Sequence, residues 1–276
     1  GVGWTHQAKD GDNHMIKTNY HTHTPRCKHA RGAEWEYCEK ALEKGYRVLG
    51  FTDHTAWPYD SDFQPTYHMT VEQLDDYVAS VNRVKADYAD RLEVHLGLEC
   101  EYFPEKMRWL ADTKREKGIE YLILGNHFDT TDEGGFAFGN CTEPEHIRRY
   151  VKMCVAGLET GLYSCFAHPD LCFRHYLTFD GHCVQAAREL CRAAKALDIP
   201  VEYNLLGLIN CRNDGEQYLH YPCPRFWEIA AEENVSCIIG TDAHSPDRFD
   251  DGAAWENAAA YLESLGLKRL TYLAFK

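Results

Sequence analysis

Apolar positions along this chain alternate between two patterns. In one, short runs of aliphatic and aromatic residues stop abruptly at a polar residue or a glycine. Runs of that length read as strands buried on both faces, and they end near Tyr20, Thr52, Glu99, Gly125, Ala167, Asn204 and Thr241. In the other, apolar residues recur at three- and four-residue steps, the spacing of one helix face. Helices are expected over roughly 33–44, 70–90, 104–117, 143–160, 182–197, 224–233 and 253–265. The second is the clearest: Val71, Leu74, Val78, Val81, Val84 and Tyr88 form its stripe. Thr70 with Gln73 is a capping-box signature at its start. Thr142 with Glu145 is another, and Gly161 can end the helix that follows.

Strand and helix alternate throughout, which predicts an α/β fold with a parallel sheet, open or closed into a barrel. Helix-to-strand links are short, as at Gly45-Tyr46, Gly118-Ile119, Gly161-Leu162 and Asp198-Ile199. Most strand-to-helix links are long: 55–69, 126–142, 169–181 and 205–223. Parallel α/β folds bind ligands beyond the carboxyl ends of their strands, so the long loops mark one elaborated face. No internal linker or low-complexity segment interrupts the pattern. We expect a single domain over residues 15–276, preceded at 1–14 by a polar tail, either a native extension or an appended remnant.

Composition narrows the function. The net charge is −14 and no basic stripe is present, which argues against a nucleic-acid partner. No apolar run is long enough to span a bilayer and no secretory leader is evident, so a cytoplasmic location is expected. The chain has 12 cysteines but no C-x-x-C pair, and several fall inside expected helices or strands. They read as reduced, buried thiols, with Cys27 the one placed among chemically interesting neighbours.

Those neighbours are histidines and carboxylates at the strand ends. They are His21-Thr22-His23 with His29, Thr52-Asp53-His54, Gly97-Leu98-Glu99, Gly125-Asn126-His127, Ala167-His168-Pro169 and Thr241-Asp242-Ala243-His244. Residues two apart in a strand point the same way, so His21 with His23, and Asp242 with His244, can each grip one ion. Taken singly, each feature has an ordinary structural explanation: Asp53 can begin a turn, Pro169 can end a strand. Packing does not explain why such side chains recur at separate strand ends, whereas a buried cluster of divalent cations requires it. Imidazole and carboxylate suit zinc, iron and manganese, and Glu99 can bridge two ions.

In that order and spacing, the motifs resemble the PHP (polymerase and histidinol phosphatase) superfamily over residues 16 to about 245. The resemblance implies a distorted (β/α)7 TIM-like barrel with two or three metal ions at its C-terminal face. It implies one ion on His21, His23, Glu99 and Asp242, a second on His29, His54 and His244, and a third sharing Glu99 with His127 and His168. Glu99, Asp242 and His244 are the residues expected to act directly in catalysis.

Within the superfamily, His168-Pro169-Asp170-Leu171, Val201-Glu202-Tyr203-Asn204, Gly207, Arg212 and Tyr221-Pro222 resemble the histidinol-phosphate phosphatase branch. The implied activity is hydrolysis of a small phosphorylated metabolite, L-histidinol phosphate, by a hydroxide bridging metals of a trinuclear site. Arg174 and Arg212, expected in loops, are the candidate phosphate clamp, since guanidinium forks match phosphate oxygens. The acidic, Gly-rich loop 126–142 departs from the branch and is a candidate lid. Asp53 and Glu101 are candidates for orienting ligands from behind. The alternatives are a superfamily phosphoesterase acting on nucleotides or oligonucleotides, a metal-dependent amidohydrolase, and a non-catalytic metal-binding protein. Oligomeric state is not legible.

Overall fold

Every apolar run identified above forms a strand, and the seven strands pair in chain order, all in parallel. They are β1 (Lys17–Asn19), β2 (Tyr46–His54), β3 (Glu93–Cys100), β4 (Tyr121–Leu124), β5 (Cys165–Phe166), β6 (Val201–Asn204) and β7 (Cys237–Gly240). This computed structural model describes residues 16–276, so the expected tail at 1–14 lies outside the described residues. Parallel neighbours need a crossover, supplied by α1 (Glu34–Glu43), α2 (Val71–Asp87), α3 (Met107–Lys117), α4 (Pro144–Glu159), α5 (Gly181–Ala196), α6 (Leu205–Asn213) and α7 (Pro224–Glu233), with α8 (Ala254–Ser264) after β7. A parallel bridge between Thr22 and Ala243 joins the two edges just past β1 and β7. There His23 N donates to Ala243 O at 2.9 Å. The sheet therefore nearly closes into a barrel.

Local chemistry sets the helix ends. The Thr70 hydroxyl accepts from Gln73 N at 3.3 Å, and Gln73 Oε1 accepts from Thr70 N at 3.0 Å, so the expected capping box of α2 is formed. Its buried stripe is Leu74, Tyr77, Val81 and Val84, whereas Val71 is 43% exposed. Val71 sits in the first turn, beyond the edge of the core. Helix α4 starts one residue later than Thr142 predicts. Pro144 holds the residue before it in the extended region, so Glu143 becomes the cap and the His146 ring accepts from Thr142 N and Glu143 N.

Helix α6 is a correction. Residues 205–223 read as a loop, but a helix begins directly where β6 ends, because the Asn204 side chain accepts from Gly207 N at 3.1 Å and caps it. All twelve cysteines are free thiols, and all but Cys211 are buried. Among the described residues no helix is long and apolar enough to cross a membrane.

The C-terminal segment plugs the end of the barrel away from the strand carboxyl ends. Cys237 N donates to Lys268 O and Leu270 N to Cys237 O, laying the segment along the start of β7. Leu273 is buried, and Phe275 stacks on Tyr121 with ring centroids 4.5 Å apart. His95, also against Phe275, bonds Glu93 at 2.7 Å and Glu120 at 2.9 Å. Burial opposes its charge, but the two carboxylates win and raise its pKa. A raised histidine pKa contributes stability that is full below the unfolded value, about 6.5, and lost as pH rises through the folded value. His95→Gln is therefore expected to cost more stability at acidic than at alkaline pH, measured by urea unfolding across that range. An equal cost throughout would exclude a charged His95.

Candidate metal centre

Parallel strands in chain order deliver their last residues to a single rim, and the motif side chains gather there. His54 and Glu99 are cross-strand partners on β2 and β3. Glu99 is the hub. Its Oε1 lies 3.1 Å from His21 Nε2, 3.3 Å from His23 Nε2 and 3.5 Å from His54 Nδ1. Its Oε2 lies 3.0 Å from His168 Nε2 and 3.4 Å from His127 Nε2. Asp242 Oδ1 stands 2.9 Å from His23 Nε2 and 3.2 Å from His21 Nε2. His244 stacks on His23 at 4.1 Å between ring centroids, and His29 lies 4.8 Å from His244 and 5.1 Å from His54. All nine expected ligands thus share one cluster. His29 is on its exposed rim; the others are buried or half-buried.

The rings are aimed from behind. His21 Nδ1 donates to Glu202 at 2.6 Å and His23 Nδ1 to Asp53 at 3.1 Å. His29 Nδ1 donates to Cys27 O at 2.8 Å and His244 Nδ1 to Asp242 O at 3.0 Å. In each ring this turns Nε2 toward the cluster, the arrangement metal-ligating histidines show. Asp53, weighed above as such a residue, fills that role by geometry. Gly125 follows β4 with no room for a side chain: a Cβ there would overlap the Glu99 carboxylate. Two cluster residues, His168 and Asp242, sit at positive φ (27° and 53°), strain that persists where surrounding structure enforces it.

Whether cations fit can be judged from the polar atoms left over. Buried atoms normally find partners. Here His244 Nε2, both nitrogens of His54 and Nδ1 of His168 are buried without a hydrogen-bond partner, and the buried His23 Nε2 and Asp242 Oδ1 meet only other atoms of the cluster. Ligand-capable atoms within 4.8 Å of one another occur in the sets His21–His23–Glu99–Asp242, His23–His54–His244 and His54–Glu99–His127. The donor set and the orphaned atoms both suit divalent cations.

Electrostatics point the same way. Burial would raise the carboxyls of Glu99 and Asp242, yet the imidazoles around them, His21 first, hold both well below the usual carboxylate range. Burial and the charge of His23 push His54 well down and His244 down to about 3, so both are neutral. His21 and His23 go the other way: burial opposes protonation, but their carboxylate partners, Asp242 foremost, raise both.

Above the cluster opens a cavity of about 430 Å³ with Tyr67, Phe128, Leu171, Leu206 and Tyr221 in its walls. The loop 126–142 supplies one wall as a small hairpin bridged at Phe128 and Ala137. Its tip is fastened across the site: Asp132 accepts from the Tyr59 hydroxyl and lies 3.2 Å from His68, and Glu133 accepts from Ser61 at 2.6 Å. His68 carried no expectation, yet it is wholly buried between Asp132 and Glu101. Glu101 is equally buried and also accepts from Trp57 Nε1 at 3.0 Å. Glu202 was missed as an orienting residue. Its signal was a carboxylate inside a run that should be buried on both faces.

The expected phosphate clamp divides. Arg174 lines the cavity, with its Nε donating to Asp214 at 2.9 Å. Arg212 is a correction: it lies on α6 rather than in a loop, is exposed, and does not line the cavity. Side chains advance about 100° per residue on a helix, so Asn210 faces the cavity and Arg212 faces away. Arg248, not singled out from the sequence, lines the cavity instead.

Comparison with known proteins agrees with this architecture. The chain is 28% identical over 268 residues to a probable histidinol-phosphatase of Deinococcus radiodurans, covering 91% of this chain and 95% of that one. It is 24% identical over 274 residues to a probable histidinol-phosphatase of Schizosaccharomyces pombe, covering 91% and 87%. Its fold matches the crystal structure of histidinol phosphate phosphatase from Lactococcus lactis complexed with zinc, L-histidinol and phosphate, with a TM-score of 0.71, 19% identity and coverage of 94% and 98%. The PHP domain model matches residues 19–205. With that match running from the end of β1 through β6, well over half of the chain, the chain belongs to the PHP domain family.

Proposed function

We propose that this protein is a metal-dependent phosphatase that hydrolyses L-histidinol phosphate to L-histidinol and phosphate. The observation that carries the reading is the set of buried imidazole and carboxylate atoms facing one another below an open cavity. The names of the relatives support the substrate. The proposed sites are His21, His23, Glu99 and Asp242 for one divalent ion, His29, His54 and His244 for a second, and Glu99 with His127 and His168 for a third. Zinc, iron and manganese all suit these donors. The free, buried thiols support a reducing compartment such as the cytoplasm.

Bound divalent ions supply Lewis acidity, which ionises water near neutral pH and neutralises phosphoryl charge. The chain's own residues do the rest. Glu202 and Asp53 hold His21 and His23 in one tautomer and one orientation. Tyr67, Phe128 and Tyr221 give the cavity an aromatic wall, and a lower local dielectric strengthens charge interactions beside it. The lining contains no serine, threonine, cysteine or lysine, which favours attack by water over a covalent intermediate on a side chain of that kind. Asp242, hydrogen-bonded to Asn204 at 3.0 Å, is fixed in place rather than free to swing.

The test is phosphate release from L-histidinol phosphate by protein reconstituted with zinc, iron or manganese, beside nucleotides and short single strands. Turnover of the first with little of the others is expected. Glu202→Gln is expected to weaken metal binding about 10- to 100-fold, read by competition with a chromophoric chelator, with circular dichroism unchanged. Unaltered affinity would remove Glu202 from its orienting role.

A further inference from the structure

We propose that Arg248 is the residue that reads the substrate's phosphate dianion at the cavity rim, a role resting on the phosphatase reading above. Arg248 belongs to the single turn Pro246–Phe249 that follows Asp242 and His244. That turn is firmly seated. Phe249 is buried and packs on Tyr46 with centroids 5.0 Å apart. Pro246 lies so close to Gly32 that a Cβ there would be 2.7 Å from its ring. Arg31 N donates to His244 O at 2.8 Å.

The acids around Arg248 are already engaged. Asp247 pairs with Arg31 at 3.0 Å, Asp250 pairs with Lys40 and Lys44, and Asp251 accepts from the first turn of α8. The Arg248 guanidinium has no hydrogen-bond or ion-pair partner among the described residues, and it lines the cavity that holds the cluster. The other cavity arginine, Arg174, has its fork turned to Asp214 through Nε and Nη2. An unpaired cation on a fixed turn, at the mouth of a pocket in a chain of net charge −14, is suited to a dianion. Its planar fork can take two phosphate oxygens at once, and little backbone freedom is left to lose on binding.

The experiment uses metal-loaded wild type, Arg248→Met, Arg248→Lys and, as a reference outside the cavity, Arg212→Ala. Inorganic phosphate affinity is measured by calorimetry, and KM and kcat on L-histidinol phosphate at several ionic strengths. Arg248→Met is expected to weaken phosphate binding and raise KM about tenfold, the scale of one charge-assisted hydrogen bond. It should leave kcat within about twofold and flatten the salt dependence. The lysine variant should recover part of the loss, and Arg212→Ala should match wild type. Phosphate affinity and KM unchanged in Arg248→Met, with metal content equal to wild type, would overturn the proposal. Equal losses in the lysine and methionine variants would also count against it, since charge would then be irrelevant. Wild type that turns over no phosphate ester, yet binds phosphate through Arg248, would overturn the phosphatase reading while upholding the anion site.

Discussion

Replacing Glu99 with alanine is expected to abolish turnover. The carboxylate lies within 3.5 Å of nitrogens on His21, His23, His54, His127 and His168, so among the described residues no other side chain joins so much of the cluster. Because more than one ion would use it as a ligand, its loss would remove several kcal/mol of transition-state stabilisation, a fall in kcat of at least about a thousandfold. It also removes the negative charge that the imidazoles surround. Metal content by atomic spectroscopy should fall with the rate, while far-ultraviolet circular dichroism stays put. A variant with full metal content and activity within tenfold of wild type would show that Glu99 is not a ligand.

The second large effect is on stability. Removing bound cations with a chelator leaves buried imidazoles and carboxylates facing one another with too few partners. Ligands that bind only the folded state stabilise it by about 2.7 kcal/mol each at a hundredfold excess over Kd. For a chain of this size two such ions correspond to a Tm loss on the order of 10 °C. The loss should reverse on adding zinc or manganese. Loading should also release protons at neutral pH, because the ligand form of imidazole is neutral and the carboxylates around His21 and His23 keep both protonated in the metal-free protein. A Tm indifferent to chelation, with no proton release on loading, would contradict a structural role for the ions.

The parts of this molecule that were legible in its sequence are those where one rule acts alone. Strand ends stood out because apolar runs gave way to histidine or carboxylate, and α2 because its stripe and its Thr70–Gln73 box agreed. Where two rules competed, the local reading slipped. Thr142 looked like a cap, but Pro144 moved the helix start to follow Glu143. Helix α6 was invisible because Leu205, Leu206, Leu208 and Ile209 leave no polar face to give a period, and Asn204 serves both as the last residue of β6 and as its cap. Arg212 was misplaced with it. The residues behind the cluster were harder still. Glu202 and His68 carry no spacing signal: Glu202 shows only as a carboxylate within an apolar run, and His68 only through its burial between Asp132 and Glu101. The barrel plug of Leu273 and Phe275 depends on contacts with Tyr20 and Tyr121, far away in sequence.

The most direct test is anomalous scattering from crystals of the metal-loaded protein, collected on either side of the absorption edge. The account predicts peaks enclosed by His21, His23, His29, His54, Glu99, His127, His168, Asp242 and His244, with Glu99 touching more than one. Peaks elsewhere, or none in fully loaded and active protein, would contradict it.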